Sequence, residues 1–176
     1  MTAQEQDIVY ELRHNPDKGF RLLMDRYMQP VYWHVRRLVV SHCDAQDAVQ
    51  EAFVRVFRSF DRFDDKHSLS AWIYKIATNE ALRIIGRRKE SISLEQDEVR
   101  QMQADQYVDF SNTEAVKFQR AIQSLPTKQQ IVFTLRYYDE LEYSEIAEIA
   151  DCSLSAAKAN YSIAKGKITD FFNTHD

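Results

Sequence analysis

A chain of 176 residues with 44% hydrophobic and 28% charged residues carries enough apolar material for one ordinary domain or two small helical ones, which excludes disorder throughout. Only three Gly and three Pro leave little for tight turns and strand edges, so a helical class is favoured over a strand-rich one. A formal net charge of −4 argues against coating nucleic acid by bulk positive charge, and two cysteines, Cys43 and Cys152, suit neither a disulfide framework nor a zinc site.

The first residues, Met1 to Asp7, are acids and amides, with no basic leader and no apolar run long enough to span a bilayer, so a cytoplasmic protein without membrane insertion is expected. Helical spacing begins with Phe20, Leu23, Met24, Tyr27, Val31, Val35 and Leu38 on one face. Asn15 before Pro16 is its start signal, a cap followed by a residue that the first helical position tolerates. Val49, Ala52, Phe53, Val56, Phe57 and Phe60 form a second face behind Asp44 as cap. Phe60 to Ser70, rich in Asp and Ser, reads as a loop. Trp72, Ile73, Ile76, Ala77, Ile84 and Ile85 mark a third helix that ends near Arg87, Arg88 and Lys89.

From Glu90 to Asn112 the pattern dissolves into acids, amides and Ser, the composition of a linker. Roughly 20 extended residues reach at most about 70 Å, about two turns of duplex DNA at roughly 34 Å each. Helical spacing resumes at Val116, Ala121, Ile122 and Leu125, halts at Pro126, and restarts behind Thr127 and Gln130 as a capping box, with Ile131, Val132, Leu135 and Tyr138 following. A short helix from Tyr143 to Ala150, a break at Asp151, Cys152 and Ser153, and a last helix from Leu154 to Phe172 follow the plan of a helix-turn-helix. Leu154, Ala157, Tyr161, Ala164, Ile168 and Phe171 face inward, and Asp151 stands where a turn Gly is more usual, since Asp tolerates left-handed backbone. The fold expected is all-α: two small helical domains, 1–90 and 113–176, joined by a flexible linker, 91–112, the C-terminal one a helix-turn-helix.

Three stretches, in this order, resemble the extracytoplasmic-function (ECF) sigma factors. They are Phe20 to Tyr27 (FRLLMDRY) running on to Val31 and Tyr32; Asp44 to Phe57 (DAQDAVQEAFVRVF) continuing through Phe63 into Ser70 to Asn79 (SAWIYKIATN); and Leu125 and Pro126 through Leu135, Arg136, Tyr137, Glu145, Ile146 and Ala147 to Lys158 and Ala164. The resemblance implies a first domain that binds core RNA polymerase and opens the minus-ten element of promoter DNA, and a second that reads the minus-thirty-five element. It also implies an anti-sigma factor that holds the protein inactive, and no catalysis. The residues agree on the last point, showing no nucleophile with its base, no phosphate-binding Gly loop, no metal-ligand cluster and no cofactor motif. His14, His34, His42, His67 and His175 are scattered as core or surface residues are.

Asp44, Asp47, Gln50 and Glu51 lie opposite the apolar side of their helix, and the resemblance makes them the polymerase-binding surface. The bland alternative is a solvated face with acids at a helix N-terminus. For the minus-ten element, Asn79 carries both donor and acceptor for a base edge and Asp61 to Ser70 is the expected pocket wall, while Lys75, Arg83, Arg87 and Arg88 suit phosphates; otherwise Asn79 is an ordinary polar helix position. Trp72 and Cys152 read as apolar packing residues. On the last helix, Ser155, Lys158, Ala159, Ser162 and Lys165 form the face that enters the major groove. There the sequence departs from the commonest family pattern, with Ser155 and Ala156 for a Gly-Thr pair and Asn160 and Ile163 for arginines, so the promoter sequence is not carried over. A helix-turn-helix regulator with a sensing N-terminal half explains only Tyr143 to Phe172, and a protein-only helical adaptor leaves Lys158 and the arginines unexplained.

Overall fold

Thr2 and Glu5 open the chain with a reciprocal cap: the Glu5 amide donates to the Thr2 hydroxyl at 3.2 Å and the Thr2 amide to the Glu5 carboxylate at 2.7 Å. In the computed structural model, which describes residues 1–90 and 112–174, this cap starts helix α1, Ala3–His14, an element absent from the expectations above. Its Ile8, Val9 and Leu12 are buried against α2, Pro16–Val39. Glu5 is buried as well, and its carboxylate accepts from the Ser70 amide at 2.9 Å and the Tyr27 hydroxyl at 3.1 Å. Burial pushes the Glu5 pKa up, but the bonds from Thr2, Ser70 and Tyr27 together outweigh it and hold the group below the usual carboxylate range.

Asn15 and Pro16 start α2 as expected, the Asn15 side chain accepting from the Lys18 amide, and Leu23, Tyr27, Val31, Val35 and Leu38 are buried. Helix α3, His42–Ser59, begins before Asp44, because Ser41 is the residue in extended conformation whose hydroxyl accepts from the Asp44 amide at 3.3 Å. Phe57, expected in the core, is 52% exposed and lies edge-on to Phe20 at a centroid distance of 5.0 Å. A 3₁₀ turn, Phe60–Arg62, and a short loop lead into α4, Leu69–Glu90. Trp72 is half-buried against Phe60 and Phe63, a packing role as anticipated.

The expected linker lies outside the described residues except for Asn112, which caps α5, Thr113–Gln123. The capping box expected at Thr127 does not form. Pro126 takes the cap position of α6, Thr127–Tyr137, and Gln130 is buried with its amide group directed at the Arg37 carbonyl, 3.4 Å away. Helices α7, Tyr143–Ile149, and α8, Leu154–Thr174, are joined through Asp151 at φ 48°, the left-handed turn that Asp was expected to supply in place of Gly. Ala157, Ala164 and Ile168 of α8 are buried, whereas Leu154, expected inward, is 48% exposed at the first turn. Among the described residues there are eight α-helices and no strand, and no helix is long and apolar enough to cross a membrane.

The two halves are packed together. One apolar cluster runs from Leu23, Val35, Leu69 and Ala77 of α2 and α4 into Ile131, Leu135, Ile146 and Ile149 of α6 and α7. A second, built from Ala121, Ile122, Leu125, Phe133, Ala164 and Ile168, belongs to the C-terminal half alone. At the joint, Asp139 just beyond α6 enters the N-terminal half with its side chain 6% exposed: the Tyr74 hydroxyl donates to it at 3.3 Å, His34 Nδ1 lies at 3.4 Å and Arg37 Nη1 at 3.9 Å. Burial, and then the Asp139 charge, push the Tyr74 hydroxyl well above its ordinary pKa, which keeps it a donor. Gln123 donates to the Arg37 carbonyl at 2.8 Å, and the Arg37 guanidinium stacks 4.0 Å from the Tyr138 ring centre. Lys75 with Asp151 at 2.6 Å, Ser68 with Glu145 at 2.7 Å and His67 with Glu148 at 3.1 Å extend the seam.

Candidate polymerase and nucleic-acid interfaces

Helix α3 presents its acids as its periodicity requires. Ala45, Ala48, Val49, Ala52 and Val56 turn inward, which leaves Asp47 and Gln50 exposed and Asp44 and Glu51 half-buried. Beside them the structure adds a hollow of about 530 Å³ that the sequence did not reveal, lined by Met28, Gln29, Tyr32, Trp33, His42, Gln46, Val49 and Gln50. Met28 and Trp33 remain 39% and 38% exposed there, so an apolar cleft borders the acidic row. Met28 and Trp33 fall outside the apolar stripe of α2, the one signal in the sequence for such a surface.

The acidic row and the arginine cluster, read separately in the sequence, prove to be opposite walls of one cleft of about 280 Å³ lined by Asp44, Asp47, Arg83, Ile84, Arg87 and Arg88. Arg88 pairs with Asp44 and donates to the Val39 carbonyl at 2.8 Å, which ties the end of α4 to the α2–α3 turn. Arg83 and Arg87 are exposed. Lys75 is engaged across the seam by Asp151.

Asn79 is exposed and lines a second cleft, about 410 Å³, together with Arg55, Arg58, Ser59, Arg62, Ile76 and Glu80. Three arginines absent from the expectations therefore surround the one side chain chosen for a base edge. Arg55 and Arg58 stand on α3 and Arg62 on the 3₁₀ turn after it, so only the placement of that turn brings the third arginine beside the other two. Of the Asp61 to Ser70 loop, Arg62 lines this cleft, while His67 and Ser68 turn toward α7.

On α8, Ser155, Lys158, Ala159, Ser162 and Lys165 are all exposed on one face, opposite the buried Ala157 and Ala164. The helix start is capped by Ser153, whose hydroxyl accepts from the Ala156 amide at 3.1 Å. Lys158 and Lys165 lie near the rings of Tyr143 and Tyr161, at 5.9 and 5.0 Å, with their ammonium groups at the surface. A short helix, a left-handed turn and a long helix with a polar, weakly basic outer face have the form of a major-groove reader.

Comparison with known proteins places these features in one class. The model of Sigma-70 region 2 matches residues 23–91, and that of Sigma-70, region 4 matches residues 115–168, so the acidic row and both arginine clefts fall in the first match and the helix-turn-helix in the second. The ECF RNA polymerase sigma-E factor of Escherichia coli (strain K12) is 32% identical over 167 residues, covering 88% of this chain and 87% of its own length. The fold is that of CnrH, solved in complex with the cytosolic domain of CnrY (TM-score 0.75, 17% identity, 98% and 99% of the two chains). It is also that of the sigma factor RpoE, solved with the anti-sigma factor NepR from Bartonella quintana (TM-score 0.69, 19% identity, 90% and 99%). The chain belongs to the ECF RNA polymerase sigma factors, which act in transcription initiation.

Proposed function

We propose that residues 1–90 bind core RNA polymerase and open the minus-ten element, and that residues 113–176 read the minus-thirty-five element. Asp47, Gln50 and Glu51, with Asp44 behind them, and the Met28–Trp33 hollow receive a helical clamp element of the polymerase. Charge sets the register and the apolar cleft supplies burial. The Asn79 cleft takes a base drawn from the stack, and Arg83 and Arg87, with Lys75 once it leaves Asp151, follow the backbone of that strand, while Arg88, held by Asp44 and the Val39 carbonyl, adds its charge from behind. Ser155, Lys158, Ala159, Ser162 and Lys165 enter the major groove. The observation that carries the reading is Asn79 ringed by Arg55, Arg58 and Arg62, a base-edge reader surrounded by phosphate ligands in an otherwise acidic chain.

Gripping two promoter sites about two helical turns apart requires the halves to part, which frees Lys75 from Asp151 and exposes Asp139. The packed form is thus the state held before engagement, and an anti-sigma factor, as in the RpoE complex, is the partner that keeps it so. The protein performs no chemistry of its own and works in the cytoplasm, where the polymerase is.

Run-off transcription from a fragmented genomic library, with core polymerase in the presence and absence of the chain, tests the reading. New defined start sites are expected, and shifts that need a pre-bound holoenzyme, or no effect at all, count against it. Asp47→Ala combined with Glu51→Ala is expected to weaken core polymerase binding by about tenfold or more at unchanged thermal stability; equal affinity in a titration removes the α3 assignment. Lys158→Ala is expected to reduce the salt slope of upstream-element binding by about 0.9, and an unaltered slope excludes a phosphate contact for Lys158.

A further inference from the structure

Glu80 is the most deeply buried acid beside the Asn79 cleft, its side chain 3% exposed. Left unpaired, a carboxylate at such a depth is strongly destabilising. Here both oxygens are used: Arg55 Nε of α3 lies 2.8 Å from Oε1, and Arg83 Nη2 and Nε lie 2.8 and 2.9 Å from Oε2. Glu51 supports Arg55 from the same helix at 3.1 Å. A guanidinium is a planar fork with five donors: the Nε–Nη2 edge of Arg83 is held on Glu80, and Arg55 Nε is shared between Glu80 and Glu51, which fixes where the remaining nitrogens of each lie. Arg55 and Arg83 remain 51% and 42% exposed, and among the described residues their other nitrogens, both Nη groups of Arg55 and Nη1 of Arg83, have no protein partner. Arg55 lines the cleft of Asn79 and Arg83 the neighbouring one with Arg87, so a strand passing between them runs over Glu80.

We propose that Glu80 is a positioning residue for single-stranded DNA: it touches no nucleotide, but holds Arg55 and Arg83 with their free edges turned to the phosphates on either side of the base read at Asn79. This rests on the reading of the Asn79 cleft given above. Elementary electrostatics makes the opposite demand, since deleting a negative charge beside a polyanion strengthens binding. The sign of the effect therefore separates positioning from simple charge balance.

The experiment measures binding of the holoenzyme to a fork-junction duplex with a randomised single-stranded tail, a suitable probe because phosphate contacts do not depend on sequence. Arg55→Ala is expected to weaken binding about tenfold, and Glu80→Gln, isosteric and less negative, to weaken it by a similar factor with a smaller salt slope. Because part of the Glu80→Gln effect runs through Arg55 and the rest through Arg83, adding Glu80→Gln to Arg55→Ala is expected to weaken binding further, but by less than the product of the two single losses. Arg55→Lys, at an exposed position that does not threaten the fold, keeps the charge but lacks the second edge, and is expected to behave like Arg55→Ala. Unchanged or tighter binding by a folded Glu80→Gln protein overturns the positioning role, as does wild-type affinity for Arg55→Lys, which decides the matter should Glu80→Gln fail to fold. If Arg55→Ala and Asn79→Ala both leave binding intact, the cleft itself is not a DNA site, and the positioning role falls with it.

Discussion

Replacing Asp139 by Ala is expected to unlatch the two halves, seen as a rise of several ångströms in the radius of gyration by small-angle X-ray scattering from the roughly 16 Å of a compact chain of this length. Asp139 meets Tyr74, His34 and Arg37 on the other side of the joint with its side chain 6% exposed. Its removal leaves the buried Tyr74 hydroxyl without its acceptor and the Arg37 guanidinium without the carboxylate 3.9 Å away, a loss of about 1–3 kcal/mol, or roughly tenfold to a hundredfold in the closed-to-open ratio at 1.4 kcal/mol per factor of ten. The seam contacts Lys75–Asp151 and His67–Glu148 each have one partner more than half exposed, so they contribute little once Asp139 is gone. Asp139→Asn keeps an acceptor for Tyr74 while losing the charge, and is expected to fall between Ala and the native residue. An unchanged radius of gyration in Asp139→Ala, with the chain still folded, means that the shared apolar cluster alone holds the halves.

The second large effect is structural. A Cβ added at Gly19 would lie 2.3 Å from the Leu12 nitrogen, 2.5 Å from its Cα and 2.6 Å from the Glu11 carbonyl carbon. All three are backbone atoms at the end of α1, so no side-chain rotation relieves the overlap, and α1 must move off α2. Gly19→Ala is therefore expected to cost about 3 kcal/mol or more, at the upper end of overpacking effects, and to lower Tm by about 6–12 °C at 2–4 °C per kcal/mol for a chain of this size. The displaced helix carries Ile8, Val9 and Leu12 of the core and the Glu5 carboxylate that accepts from the Ser70 amide at the start of α4. A calorimetric Tm within about 2 °C of the native value would show that α1 contributes little to the fold.

The three long helices of the first half and the helix-turn-helix of the second were legible because each obeys a local rule. The stripe from Phe20 to Leu38, the Asn15–Pro16 start and the left-handed Asp151 depend on neighbours a few residues away, and all appear where expected. α1 is equally local, with Thr2 and Glu5 as a capping box and Ile8, Val9 and Leu12 at helical spacing, although the acids and amides of the N-terminus gave no expectation of it. Caps were less secure, because Ser41 displaced Asp44 and Pro126 displaced Thr127 once backbone conformation, and not residue type, chose the first free amides.

By itself the sequence determined the helical class, the division into two halves and the outward faces of α3 and α8, since these follow from periodicity and short-range order along the chain, while its motifs carried the resemblance to the ECF sigma factors. Only the tertiary structure decided that Arg55, Arg58 and Arg62 gather around Asn79, that Arg88 answers Asp44, that Glu80 lies between two arginines, and that Asp139 seals one half against the other. The reason is physical: such partners lie on different helices, and what brings them together is the burial of apolar faces whose mutual angles no local pattern encodes.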